Sequence, residues 1–258
     1  MKNIIILIAT TLIFTQAVAQ NINVSAGIPV KQNDSNYFII DRPQYVVSVS
    51  KELSVPNWAA YHLCNDDFGN VKRFSGNFKT DTTLPEGYYR VKHSDYTNTG
   101  YDRGHLVRSD DRTKTTEDNI ATFYLTNIIP QTPDLNRLIW LQFENYLQQL
   151  CKKENKHLFI VCGGAYYTGN TIKNNVGVPD SCWKVVLIMD SNQTIDDVSN
   201  ETETIAVMMP NANNLKNKKW TEYITTIRNV ENATGYDFFS NVDVLIQDFI
   251  ENKKYQIR

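Results

Sequence analysis

Tyr101-Asp102-Arg103-Gly104-His105, then Thr126-Asn127-Ile128-Ile129-Pro130-Gln131, then Asp134-Leu135-Asn136-Arg137 with Trp140 and Glu144 beyond: the reading of the chain turns on this stretch. In the first string a glycine frees the backbone beside a histidine, with a guanidinium two residues away. Thr132-Pro133 is a helix-start signal, an N-cap hydroxyl followed by proline at the first helical position. Behind it Leu135, Ile139, Phe143, Tyr146 and Leu150 recur at helical spacing, which predicts a helix from about Pro133 to Lys153. At about 100° per residue, Asn136 and Glu144 stand about 80° apart and share one edge of that helix with Trp140. An amide oxygen and a carboxylate suit a hard cation such as Mg²⁺, which keeps several waters and needs few protein ligands. Spacing alone also allows the plainer reading, a polar residue at a helix start and a solvent-facing charge.

Working outward, Tyr45–Ser50 and Trp58–Leu63 alternate apolar positions, while Leu158–Cys162, Lys184–Met189 and Thr204–Met209 are short, apolar runs. These predict a central antiparallel sheet. Two further helices are expected near Lys218–Val230 and Val242–Asn252. Separated strands and helices read as one α+β domain, residues 44–258, with helices flanking the sheet. Residues 20–43, polar and with Gly and Pro, are expected to be a loose lead-in.

Met1-Lys2-Asn3, the apolar run Ile4 to Phe14 and Ala17-Val18-Ala19 have the pattern of a secretory signal peptide over residues 1–19. The expectation is export, to periplasm or medium. That run is too short to span a bilayer core of roughly 30 Å, and no later stretch is long and uncharged enough to do so. The chain of 258 residues carries a formal charge of −2, so overall charge gives no support to nucleic-acid binding. From Lys72 to Lys114, however, there are nine Lys/Arg against six Asp/Glu, a locally basic segment that is either a solvated face or a binding one.

Cys64, Cys151, Cys162 and Cys182 stand far apart with no C-x-x-C pair, which argues against a structural zinc site and leaves disulfides and free thiols both open. Of the four histidines, His62 and His157 sit beside apolar strand residues and read as packed or surface side chains, and His93 reads as solvated. His105 alone closes a glycine turn next to an arginine.

The chain resembles the DNA/RNA non-specific endonuclease family, ββα-metal nucleases with secreted bacterial and mitochondrial members. The Asp102-Arg103-Gly104-His105 string with Asn127 and Asn136 is the specific part of the match. Weaker matches follow in order from about Tyr45 to near Ile250: Tyr45-Val46-Val47, Trp58-Ala59-Ala60-Tyr61, Arg73 before Phe78, Val178-Pro179 before Trp183-Lys184-Val185, Pro210-Asn211, and Thr234-Gly235 before Phe238-Phe239. The resemblance implies a ββα-metal finger with His105 as general base and Asn136 as direct ligand of Mg²⁺, or Mn²⁺ in its place. It implies Glu144 acting on the metal through water, Arg103 and Arg73 on phosphate, and Asn127 fixing the geometry among the catalytic set. Asp102 is expected to be a supporting residue. Arg108 stands where a small residue or proline is common, and is expected to contact substrate. Thr126 stands where serine is common. The implied activity is endonucleolytic hydrolysis of DNA and RNA to 5′-phosphate products. Its rivals are a non-cleaving nucleic-acid binder of the same fold and a phosphodiesterase for small substrates.

Overall fold

The structure, a computed structural model, describes residues 21–32 and 36–257, so the expected signal peptide lies outside the described residues. A seven-stranded sheet forms the centre. In chain order its strands are β2 (Tyr37–Asp41), β3 (Val46–Ser50), β4 (Pro56–Leu63), β7 (Lys156–Ala165), β8 (Ser181–Asp190), β9 (Glu203–Pro210) and β10 (Ile224–Thr225). In space they run β10-β9-β8-β7-β4-β3-β2, every pair antiparallel. Two small ladders stand apart: β1 (Val30–Lys31) with β11 (Tyr236–Asp237), and β5 (Asp102–His105) with β6 (Ile128–Gln131). The helices are α1 (Thr116–Ala121), α2 (Leu141–Glu154), α3 (Ile227–Thr234) and α4 (Val244–Glu251). The α+β architecture with an antiparallel sheet is therefore as the strand and helix runs predicted.

Both faces of the sheet are covered, so its strands read as apolar on both sides rather than alternating with polar residues. On β4, Ala59, Tyr61 and Leu63 face one core, shared with Ile160, Cys162, Leu106, Ile128 and Phe143 of α2. Trp58 and Ala60 face the other, with Val161, Trp183 and Val185, closed by Ile227 and Val230 of α3 and Ile250 of α4. Among the described residues no helix is long and apolar enough to cross a membrane.

Two expectations need correction. The described residues of this stretch, 21–32 and 36–43, are not a loose lead-in: Asn23 is buried and accepts the His62 backbone N–H at 2.9 Å, and Tyr37–Asp41 forms the edge strand β2. The apolar triplet Phe38-Ile39-Ile40 outweighs the polar composition around it. The helix expected near Lys218–Val230 is broken into a 3₁₀ turn at Trp220–Tyr223, the strand β10 and the helix α3, whose N-cap Thr226 accepts from Asn229 N–H. There Ile224 pairs with Val207 on β9, so sheet pairing overrides helical spacing. On α4, Leu245 and Phe249 lie outward and exposed, while Gln247 and Glu251 turn inward.

Candidate active site

The β5–β6 ladder and the helix after it form a ββα unit. Gly104 pairs with Ile129 and His105 with Ile128, and a Cβ at Gly104 would overlap the Gln131 side chain folded over it. The chain then turns at Thr132, whose hydroxyl accepts the Leu135 N–H at 3.4 Å, and enters the predicted helix. Its first part, Leu135–Trp140, is π-helical before α2 continues as a regular α-helix to Glu154. The looser winding invalidates the about 80° separation of Asn136 and Glu144 derived for a regular helix. Both residues nevertheless line one cleft of about 330 Å³ together with Arg73, Arg103, His105 and Arg108. Asp110, Arg137, Trp140 and Leu141 complete its walls.

His105 packs between Phe78 and Phe123, ring centroids 5.3 and 5.1 Å away, and its Nε2 is buried without a partner among the described residues. Burial first, then the charges of Arg73 and Arg108, push its pKa down to about 3. Both effects favour the neutral imidazole.

Asn136 has its amide orientation set for it. Its Nδ2 donates to Asp102 Oδ2 at 3.0 Å, which turns the amide oxygen away as the free end. Asp102 is itself gripped through both oxygens by Arg137, at 2.7 and 2.6 Å. Burial works to raise the Asp102 carboxyl, but the hydrogen bonds from Arg137 and Asn136 and the nearby arginine charges bring it below the usual carboxylate range. Asp102 thus links the Asn136 amide to Arg137.

Glu144 is buried, with Lys184 Nζ 3.5 Å from Oε1 and Arg108 Nε 3.8 Å from Oε2. Burial raises its carboxyl above the ordinary value, against the pull of Lys184 and Arg108. Lys184 is wholly buried under the cleft, its ammonium 3.2 Å from the Tyr61 hydroxyl and 4.7 Å from the Trp140 ring centroid. Burial disfavours that charge, yet Tyr61, Cys162, Glu144 and Asp111 hold it above its ordinary pKa. Sequence reasoning quoted Lys184 only as part of a strand match. An isolated lysine inside Trp183-Lys184-Val185-Val186-Leu187 is the signal that could have marked it, because a buried ammonium requires a partner.

The arginines differ in how free they are. Arg73 is exposed, bonds Ser109 Oγ and lies over the Phe123 ring at 4.9 Å. Arg103 donates to the His93 carbonyl at 2.8 Å and to Thr97 Oγ1 at 3.2 Å, sits over Phe78 and Tyr96, and keeps Nε unpartnered. Arg108 spends two N–H groups on Asn145 and Asp110, both at 2.8 Å, so its contact with substrate is the most restricted. Thr126 keeps a hydroxyl where serine was expected and donates it to Asp81 at 2.6 Å.

One member of the expected catalytic set does not reach the cleft. Asn127 is wholly buried, accepts from Val107 N–H at 3.0 Å and donates to the Val107 and Thr122 carbonyls at 2.9 Å. Its own carbonyl takes the Leu106 N–H at 3.0 Å. It clamps the segment that follows His105, and its side-chain amide is spent on backbone groups.

Comparison with known proteins bears on the family and the fold. The family model of the DNA/RNA non-specific endonucleases matches residues 23–245. A nuclease of Nostoc sp. is 43% identical over 232 residues, covering 90% of this chain and 83% of that protein. Nuclease C1 of Cunninghamella echinulata is 29% identical over 220 residues, covering 80% and 84%. Mitochondrial endonuclease G of Bos taurus is 26% identical over 215 residues, covering 78% and 69%. In fold, a chain of the EndoG/EndoGI complex superposes with a TM-score of 0.75 at 23% identity, covering 86% of this chain and 91% of its own. The chain is a nuclease and belongs to the DNA/RNA non-specific endonuclease family.

Proposed function

We propose that this protein is an exported endonuclease that hydrolyses DNA and RNA phosphodiesters with little regard to sequence, leaving 5′-phosphate ends, with His105 as general base and Mg²⁺ as cofactor. One observation carries the reading: an imidazole whose Nε2 is without a partner among the described residues and an amide oxygen turned away from Asp102 line the same arginine-rich cleft. The donor set fits a hard divalent cation, since the Asn136 oxygen and the Glu144 carboxylate offer only oxygen. With Asn136 as direct ligand and Glu144 reaching it through water, Mg²⁺, or Mn²⁺ in its place, would supply Lewis-acid stabilisation of the charge that develops on phosphate.

The protein's own groups do the rest. Arg73 and Arg103 grip phosphate through a planar fork that stays charged at any relevant pH. Gripping phosphate rather than base edges accounts for weak sequence preference, and requires that binding weaken with salt. Bound phosphate offsets the field of Arg73 and Arg108 on His105, so the imidazole becomes a stronger base when substrate is present. His105 then takes the proton of the attacking water.

Incubation of the purified chain with double-stranded DNA, single-stranded DNA and RNA, with Mg²⁺ and with EDTA, is the direct test. All three polymers should be cut in Mg²⁺ and none in EDTA. Binding without cutting would make it a capture protein, and cleavage confined to small diesters would make it a phosphodiesterase. His105→Ala should lower the rate by at least ~10²-fold with folding intact. A variant as fast as the parent removes His105 from the base role.

A further inference from the structure

On the sheet face opposite the cleft, His62, Cys64 and His157 come together. The register explains how. β4 and β7 are antiparallel with Leu63 opposite Leu158 and His62 opposite Phe159, so the next rung sets Cys64 against His157. Strand alternation puts His62, Cys64 and His157 on the side of Trp58, Ala60 and Phe159, away from the core that contains Leu63 and Leu158. One ligating atom from each of the three lies within 4.8 Å of the others. His62 Nε2 is 3.1 Å from His157 Nδ1.

We propose that His62, Cys64 and His157 form a second metal site, specific for a borderline-soft ion of the Zn²⁺ type and independent of the catalytic Mg²⁺ site.

Two imidazole nitrogens on one tetrahedral Zn²⁺, each bonded at about 2.0–2.1 Å, stand about 3.3 Å apart, close to the spacing already present. Thiolate and imidazole donors select Zn²⁺ over Mg²⁺, whereas the oxygen donors of the cleft select the reverse. The side chains are held ready. The His62 backbone is fixed by Asn23 at its N–H and by Arg112 at its carbonyl, at 2.9 and 2.7 Å, and the Cys64 N–H donates to Asp67 Oδ2 at 2.9 Å. His157, only half-buried, gives an ion its way in. Binding converts the Cys64 thiol to thiolate as the Zn–S bond forms, and the proton passes to solvent. Three protein ligands leave the fourth position to water or to the nearby Asp67 carboxylate. The ion would tie β4 to β7 and close the end of the sheet that Asn23 caps. No C-x-x-C pair is involved, because the ligands are assembled across a ladder.

The whole chain, purified reduced and stripped of metal, should be titrated with Zn²⁺ and separately with Co²⁺ in excess Mg²⁺. One equivalent should bind, Co²⁺ should give a thiolate-to-cobalt charge-transfer band, and Zn²⁺ should raise the melting temperature. Cys64→Ser and His157→Gln should abolish the band and weaken Zn²⁺ by at least about 100-fold, beyond the cost of losing an outer-shell partner. Both variants should keep nuclease activity, which reports that they fold. His105→Ala should keep the band and the stabilisation. The proposal fails if no thiolate band appears, if the band survives Cys64→Ser, if it disappears with His105→Ala, or if mass spectrometry of untreated protein finds Cys64 in a disulfide.

Discussion

The two faces of the central sheet bury carboxylates with different supplies of cations. Under the cleft, the buried Glu144 and Asp111 feel the charges of Lys184 and Arg108, and Asp111 that of Arg112 as well. On the other face, Glu231 and Glu251 share Arg228, at 2.7 and 2.9 Å, and neither Glu251 oxygen accepts a hydrogen bond among the described residues. Burial and then the Glu231 charge push the Glu251 carboxyl up to about 8. Burial raises the carboxyls on both faces, but under the cleft several cations pull Glu144 and Asp111 back towards the charged form, whereas on the far face a second acid pushes Glu251 further up. The first arrangement suits a site that must hold a divalent ion; the second merely closes a core.

Removing the cation that distinguishes the first face should have the largest effect. Lys184→Met leaves Glu144 short of its ammonium, so unfolding titrations should show a loss of about 3–5 kcal/mol. Nuclease activity should fall as well, with the acid limb of its pH profile moved upward because Glu144 takes up a proton more readily. Adding Glu144→Gln should recover much of the stability and none of the activity. If the single variant keeps the parental pH profile, Lys184 does not control Glu144.

The opposite face predicts a pH dependence of smaller size. The folded state binds the Glu251 proton more tightly than the unfolded chain does, so this stabilisation is full below the unfolded value near ~4.3 and is lost as pH rises through about 8. Glu251→Gln should flatten that decline, read as urea midpoints across this range. Equal slopes in parent and variant would mean that Arg228 suffices for both acids.

The smallest effect belongs to the rim. Arg137 is 66% exposed where it grips Asp102, so Arg137→Ala should cost no more than about 1 kcal/mol in thermal unfolding. A larger loss would mean that the Asp102–Asn136 contact depends on the arginine.

Much of the site was legible because its residues are close in sequence. Gly104, His105, the helix start and Asn136 lie on a local ladder and the helix that leaves it, which short strings describe well. What the strings could not show depends on distant pairing. Lys184 meets Glu144 only through sheet packing, Cys64 meets His157 only through the β4–β7 register, and Ile224 becomes strand only because β9 is beside it. Asn127 was expected to fix geometry, but which backbone groups its buried amide would hold could not be read from sequence. His62 and His157 read as ordinary packed side chains for the same reason: neither has a partner within its own segment.

The π-turn at Leu135–Trp140 amounts to one surplus residue in an otherwise regular helix. Losing that residue would let the backbone relax into tighter hydrogen bonding, yet it would rotate everything downstream by about 100° and carry Glu144 out of the cleft. Length in this segment is thus under a different constraint from composition: point changes on its outer surface are tolerable, while a single-codon deletion would leave a sound helix and a dismantled catalyst.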